Sequence, residues 1–352
     1  MFSAAFLYKK VFEIDFKFCE PFRLESGELL SPLDLRCSIY GKLNCQKSNA
    51  VLIFHALTGS SRIDEWWGEM LGAGKALDTE EFAFVCVNAL SSCYGSTPAK
   101  NIKSVVTPRD IVRSQEILLE YLGINKFQAV VGGSLGGMLA LQFASDFPDK
   151  TEKCVAIGAA LLSAMGLALN HLQRTAIKYE EGVDLARQIA MISYKSKEIF
   201  NRNFARKPNR NGEDPLAKLE NRFDIAGYLD YQGEKFVKRF DADSYYTLSK
   251  TMDLFELNDA EIQKIKAKVS LVGISSDWLF PATDVRDLAE RLESQNVDTD
   301  YIEMISPDGH DAFLSDTAQM GKILREIFAT EFTEDKEEFQ VGEKKGFSLC
   351  SL

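Results

Sequence analysis

The sequence is short of several things, and each shortage excludes something. It has three histidines in 352 residues, too few for a histidine-rich metal centre. If a histidine acts as a base, it is one of His55, His171 and His310. Seven cysteines is an odd count, and none are spaced as CxxC or zinc-ligand pairs. A disulfide framework is not expected; Cys86 and Cys154, inside apolar runs, read as core thiols in reducing surroundings. Positive charge is in deficit, with 41 Lys and Arg against 52 Asp and Glu for a net charge of -11. No overall field therefore draws in nucleic acid or an anionic membrane. No apolar run approaches the roughly 18 residues of a membrane span. The apolar patch of "MFSAAFLYKK" is too short for a signal core, and its positive charges follow the patch instead of preceding it. The expectation is a cytoplasmic protein without nucleic-acid, membrane or metal partners.

What is present is a chain with 45% hydrophobic and 26% charged residues, ample for a large core. Six short apolar runs, at 51–54, 84–87, 129–131, 154–157, 269–274 and 301–305, read as strands. They are continuous instead of alternating, as in a parallel sheet covered on both faces. Helical patterns lie between them. The clearest has Thr107 as N-cap, Pro108 first, Asp110 in the first turn and Gly123 as stop. Others run from about 284 to 292, after Pro281, and from about 317 to 328. Strand and helix in alternation predict an α/β, doubly wound sheet. The opening, roughly 12 to 40, reads as antiparallel strands with a turn at "ESGE". From about 163 to 259 there is helical periodicity and no strand, with polar "RKPNRNGEDP" in its middle. The expected organisation is a core over 1–162, a helical lid insertion over 163–260, the rest of the core over 261–330 and a charged, solvated tail over 331–352.

The stretch "VVGGSLGGM" places Ser134 among Gly132, Gly133, Gly136 and Gly137, between a strand and a helix. It fits G-x-S-x-G, in which a nucleophilic serine sits on a strained turn and larger neighbours would collide. A phosphate loop would want Lys-Ser or Lys-Thr after the last glycine; Met138 is there instead. Close helix–strand packing alone is the competing explanation. The nucleophile elbow demands an acid and then a histidine later in the chain. His310 follows the last strand in "SPDGHDAF". His171 falls in the helical insertion, and His55 reads as structural. Asp277, directly after the run at 269–274, is preferred as the acid over Asp284 and Asp287, which fall on a helix. Two backbone N–H groups should face the developing oxyanion: that of Leu135, after the serine, and that of Leu57, in the turn "HALTGSS".

The set "FHALTGS", "GAGKALDTEEFAFVCVN", "CYGST", "VVGGSLGGM", "YLDYQGEKFVKRFDADSYYTL" and "GHDAFL" resembles the homoserine O-acetyltransferases of the α/β-hydrolase superfamily, from about 22 to 327. The resemblance implies an α/β-hydrolase fold with a helical lid. It also implies acetyl transfer from acetyl-CoA, a co-substrate and not a bound cofactor, to L-homoserine through an acyl-serine, in a homodimer. Succinyl transfer, transfer to serine, and hydrolysis on the same fold are the alternatives. It further implies substrate-binding roles for Arg206, at the last position of a motif usually reading R-F-G-R, and for Asp311. A solvated lid charge and a helix cap are the plainer readings of these two. Ala205 replaces the motif's glycine, and the family's F-D-A-N reads Phe240-Asp241-Ala242-Asp243.

Overall fold

The computed structural model describes residues 11–180 and 182–329; the charged tail expected at 331–352 lies outside them. Four strands open the chain: β1 (Val11–Phe18), β2 (Phe22–Arg23), β3 (Leu29–Leu30) and β4 (Leu33–Tyr40). β2 and β3 form a small hairpin, closed where "ESGE" was expected to turn. There Leu24 N–H donates to Glu28 O at 2.9 Å, and Gly27 takes φ +91°. The six apolar runs become β5 (Ala50–Phe54), β6 (Ala83–Val87), β7 (Phe127–Gly133), β8 (Thr151–Ile157), β9 (Lys268–Ile274) and β10 (Thr299–Met304).

Eight strands make one sheet in the order β1-β4-β6-β5-β7-β8-β9-β10. β4 runs antiparallel to both of its neighbours, β1 and β6, and the remaining pairs are parallel. The runs are apolar throughout because both faces are covered. Leu52 and Phe54 of β5 point into one core and Val51 and Ile53 into the other.

The helices are α1 (Ile63–Trp66), α2 (Pro108–Tyr121), α3 (Leu135–Asp146), α4 (Ala164–Ala176), α5 (Gly182–Tyr194), α6 (Lys197–Asn203), α7 (Asp224–Val237), α8 (Ala242–Asp253), α9 (Asp259–Ile262), α10 (Ala282–Ser294), α11 (Ala312–Ser315) and α12 (Thr317–Ala329). α2, α3 and α10 pack on the face of Leu52 through Leu118, Leu139 and Leu292. α1 and α12 pack on the opposite face through Ile63 and Leu324. α2 begins with a capping box, in which Asp110 N–H donates to Thr107 Oγ1 and Thr107 N–H to the Asp110 carboxylate, each at 3.1 Å. No helix among the described residues is long and apolar enough to cross a membrane.

Between β8 and β9 the described elements are helices, α4 to α9, with one isolated antiparallel bridge between Pro208 and Phe223. These helices share the sheet's core: Phe236, Tyr245, Leu248 and Met252 belong to the same buried cluster as Leu52 and Phe54. The corner between α7 and α8 explains much of the motif "KRFDADSYYTL". Asp241 is the N-cap of α8, accepting from Ser244 N–H at 2.8 Å. Phe240 stacks on Phe236 with ring centroids 5.3 Å apart. In the strand order β5 lies between β6 and β7, so the sheet's direction of winding reverses there. The carboxyl ends of strands at such a point border a crevice.

Candidate active site

Ser134 stands between the end of β7 and the start of α3, with φ 57° and ψ -126°. A non-glycine residue held there stores on the order of 1–3 kcal/mol of strain, which the surroundings must impose. They do so from two sides. Ser134 N–H donates to Ile157 O of β8 at 2.8 Å, and Ser134 O accepts from Met138 N–H of α3 at 3.1 Å. The four glycines make the fit possible. A Cβ on Gly132 would come within 2.2 Å of the Gly136 backbone, and one on Gly136 within 2.2 Å of Phe54 O. On Gly133 it would strike Phe313 at 2.5 Å, and on Gly137 it would strike Ala159 at 2.6 Å. The glycines therefore press α3 onto β5 and β7 while leaving Ser134 at the bend. Close packing and a strained serine are one arrangement here.

Asp277 follows β9 and folds back on its own turn. Its Oδ1 accepts from Leu279 N–H at 2.9 Å and Phe280 N–H at 3.0 Å. Its Oδ2 lies 2.6 Å from His310 Nδ1. The histidine loop is tied to the same turn, since Ser276 Oγ accepts from Gly309 N–H at 2.9 Å and donates to Ser306 O at 2.5 Å. His310 is buried among the rings of Tyr194, Phe280 and Phe313. Burial alone pulls its pKa down. The Asp277 charge and hydrogen bond, helped by Asp311 and opposed by Lys195, outweigh that, so the net shift is upward from 6.5.

Ser134 and His310 line one cavity of about 430 Å³, together with Leu57, Tyr94, Tyr194 and Asp311. Leu57 lies in the turn after β5. Leu135 opens α3, where the first N–H groups have no carbonyl partner within the helix. Two arginines also reach this cavity, Arg187 of α5 and Arg239 beyond α7. Among the described residues, no group of three or more His, Cys, Asp or Glu side chains converges as metal ligands would.

The alpha/beta hydrolase fold family model matches residues 49–317. The homoserine O-acetyltransferase of Carboxydothermus hydrogenoformans is 36% identical over 86% of this chain and 91% of its own. The chain belongs to the homoserine O-acetyltransferase family. Another relative, the homoserine O-succinyltransferase of Alkalilimnicola ehrlichii, is 37% identical over 84% of this chain and 89% of its own. Among solved structures, esterase E22 superimposes with a TM-score of 0.81, covering 90% of this chain and 100% of that one, at 23% identity. That likeness concerns the fold, which transferases and esterases share.

For a homoserine O-acetyltransferase the charged groups around the cavity matter most, and the structure separates the two residues expected to bind substrate. Arg206 does not line the cavity. α6 ends at Asn203, Phe204 turns inward, and Arg206 lies exposed with its guanidinium 4.9 Å above the Phe223 ring. Arg187 and Arg239 are the lid arginines that line Ser134's cavity. Arg187 is half-buried, 5.4 Å from the Tyr194 ring centroid and 5.0 Å from that of Phe236. Arg187 lies on a helix whose Ala186 and Ala190 are buried, and Tyr194, seven residues on, lies against His310; the sequence alone marks none of this. Asp311 lines the cavity and pairs with Lys195 Nζ at 3.1 Å. It stands at the N-cap position of α11 but makes no side-chain cap bond there. Arg239, inside a motif read only as a whole, donates to Thr58 O at 2.8 Å and Tyr94 Oη at 3.1 Å. It joins the lid to the turn that holds Leu57.

Proposed function

We propose that this protein moves the acetyl group of acetyl-CoA to the hydroxyl of L-homoserine, through an acetyl-serine on Ser134. The observation that carries the reading is the Asp277–His310 pair beside Ser134 in a cavity that also presents Arg187 and Asp311. With Nδ1 held by Asp277, His310 keeps Nε2 for the substrate side. That nitrogen takes the Ser134 proton as Oγ attacks the thioester carbon. The oxyanion that forms is received by the N–H groups of Leu57 and Leu135. Collapse breaks the carbon–sulfur bond, and CoA leaves with the proton from His310. Homoserine's hydroxyl then gives its proton to His310 and attacks the acetyl-serine; Ser134 recovers the proton when the ester departs.

A zwitterionic acceptor needs a cation for its carboxylate and an anion for its ammonium. Arg187 supplies the first, since its guanidinium lies over the Tyr194 and Phe236 rings and forms no ion pair with a carboxylate among the described residues. Asp311 supplies the second, sharing its carboxylate with Lys195. Succinyl-CoA is the second reading, because one close relative is named a succinyltransferase. The protein is further taken to be a cytoplasmic homodimer. The described cysteines are free thiols, which suits a reducing compartment. Met165 and Leu172 of α4, and Leu185 and Ile192 of α5, lie exposed at seven-residue spacing and offer a face for a second copy.

The test combines donors and acceptors. Mixed with acetyl-CoA alone, the enzyme should release one equivalent of CoA and gain one acetyl mass on the Ser134 peptide. Homoserine should convert that burst into steady turnover. Continuous CoA release without an acceptor would make the protein a hydrolase, and a larger rate with succinyl-CoA would make it a succinyltransferase.

A further inference from the structure

An oxyanion donor works only if its N–H is already aimed before charge develops. The Leu57 N–H belongs to the peptide unit whose carbonyl is that of Ala56. In a trans peptide the two groups are coplanar and point in opposite directions, so whatever pins the carbonyl also aims the N–H. The Ala56 carbonyl is held twice: His55 Nδ1 lies 2.8 Å away, and Gly59 N–H donates to it at 2.8 Å. The far side of the same imidazole is also engaged, with Nε2 3.0 Å from Ala89 N of the loop after β6. Ala89 N–H can only donate, so Nε2 must accept, and Nδ1 must carry the proton given to Ala56. A neutral ring in one tautomer is therefore strung between two backbone groups. His55 is 2% exposed, and burial holds its pKa down to about 4, which keeps the ring neutral around pH 7.

The turn is also set against the nucleophile. A Cβ on Gly136 would come within 2.2 Å of Phe54 O and 3.1 Å of His55 O. The first turn of α3, carrying Leu135, thus rests on the backbone that leads into Leu57. We propose that His55 is a positioning residue for acyl transfer: by bridging the Ala56 carbonyl and the Ala89 amide, its ring fixes the plane of the peptide whose Leu57 N–H receives the oxyanion. His55 is not among the cavity's lining residues and acts only through the turn. The inference rests on the acetyl-serine reading above.

Two substitutions separate the ring's two bonds. His55→Asn can still donate from its amide to Ala56 O but cannot reach Ala89. His55→Gln can reach Ala89 with its oxygen but leaves the Ala56 carbonyl with Gly59 alone. Removing an oxyanion donor outright costs about 10²–10³ in turnover. Misaiming one should cost about 10- to 100-fold in the Gln variant and less in the Asn variant. The readouts are the acetyl-enzyme burst rate and the affinity for a small alkylboronic acid, whose tetrahedral adduct on Ser134 mimics the oxyanion. Product CoA affinity and the thermal midpoint serve as controls. The Gln variant should lose burst rate and boronate affinity together while keeping CoA affinity, and the Asn variant should recover most of both. Equal boronate affinity in the wild type and the Gln variant would overturn the proposal, as would a Gln loss matched by CoA affinity. A boronate adduct on wild-type Ser134 without any acetyl-enzyme would instead count against the acetyl-transfer reading. In case neither variant folds, nitrogen NMR of the wild type applies directly. His55 must be neutral with its proton on Nδ1 from pH 6 to 9, and an Nε2–H or doubly protonated ring overturns the proposal.

Discussion

Ser134 and Arg187 line one cavity, but they come from regions built by different rules. Ser134, Asp277 and His310 follow the parallel strands β7, β9 and β10, whose register fixes where each of these turns begins. Arg187 sits on a lid helix, and what fixes it is the packing of α5 against its neighbours. The strand ends therefore write local signatures: four glycines around one serine, an aspartate after an apolar run, a histidine after the last strand. The lid writes only periodicity, and many helices have that. On the proposed function, the comparison teaches that the reaction and its acceptor are specified at different levels of the structure, and it can be tested by breaking each level separately.

The largest effect belongs to the core. Ser134→Ala should lower turnover by on the order of a million-fold, the loss expected when a nucleophile acting with its base is removed. Its thermal midpoint should barely move, because alanine fills the same bend between Ile157 O and Met138 N–H. A variant keeping a tenth of the wild-type rate, measured as acetylhomoserine formed, would move the chemistry elsewhere in the cavity.

Asp277→Asn comes next. An asparagine can keep the turn's bonds to Leu279 and Phe280 but favours the wrong histidine tautomer, a change worth about 10⁴ in turnover. It also carries a pH signature. His310 must be neutral to accept a proton, so the rate of acetyl-enzyme formation rises with pH through its pKa. In the wild type that acid limb should lie above pH 6.5, because burial, which lowers the pKa, is outweighed by the Asp277 charge and hydrogen bond together with Asp311. Without the aspartate charge burial dominates, and the residual activity's limb should move to lower pH. A limb that stays in place would mean that another group titrates.

The lid should respond differently. Arg187→Ala should cost roughly 2–5 kcal/mol if the acceptor's carboxylate is desolvated there, read as a large fall in kcat/KM for homoserine. The acetyl-enzyme burst should survive, since that half-reaction does not use the carboxylate. Arg206→Ala should change neither by more than about two-fold, as for an ordinary surface substitution. If the two results are exchanged, the lid must close far enough during turnover to bring Arg206 inward.

Legibility in the sequence follows the same division. The six strands, the capped helix α2 and the hairpin at "ESGE" could be read because burial on two faces and turn chemistry leave local marks. Ser134, Asp277 and His310 could be read as candidates because a strand-to-helix fold fixes their chain order. Arg206 was placed by the motif R-F-G-R carried onto "NFARK", and nothing in that motif shows which way the chain leaves α6; in the structure its guanidinium lies over Phe223, outside the cavity. Arg187 was missed because one arginine on an amphipathic helix looks like any solvated charge until Tyr194 and Phe236 are seen beneath it. His55 was read as structural, but its two backbone partners, one of them 34 residues away, become visible only with the sheet assembled.

The smallest effect is expected where the lid departs from its family. Ala205, in place of the usual glycine, takes φ 46° just beyond the end of α6. Its N–H reaches back to Phe200 O at 3.4 Å, and Phe204 N–H donates to the same carbonyl at 2.9 Å. A left-handed residue after a helix is ordinarily glycine, because a Cβ there costs roughly 1–2 kcal/mol. Ala205→Gly removes that strain but gives the unfolded chain more freedom, worth about 0.4–1 kcal/mol in the opposite direction. The net should be a gain of about 0.5 kcal/mol, a rise of about 1–2 °C in the thermal midpoint. Acetyl transfer should be unchanged, because Arg206, the residue a looser turn would free, lies outside the cavity. A loss of stability would show that the Ala205 methyl is packed and the turn is not strained. A gain in homoserine affinity would show that the alanine holds Arg206 away from the acceptor, so that this lid had exchanged binding for order.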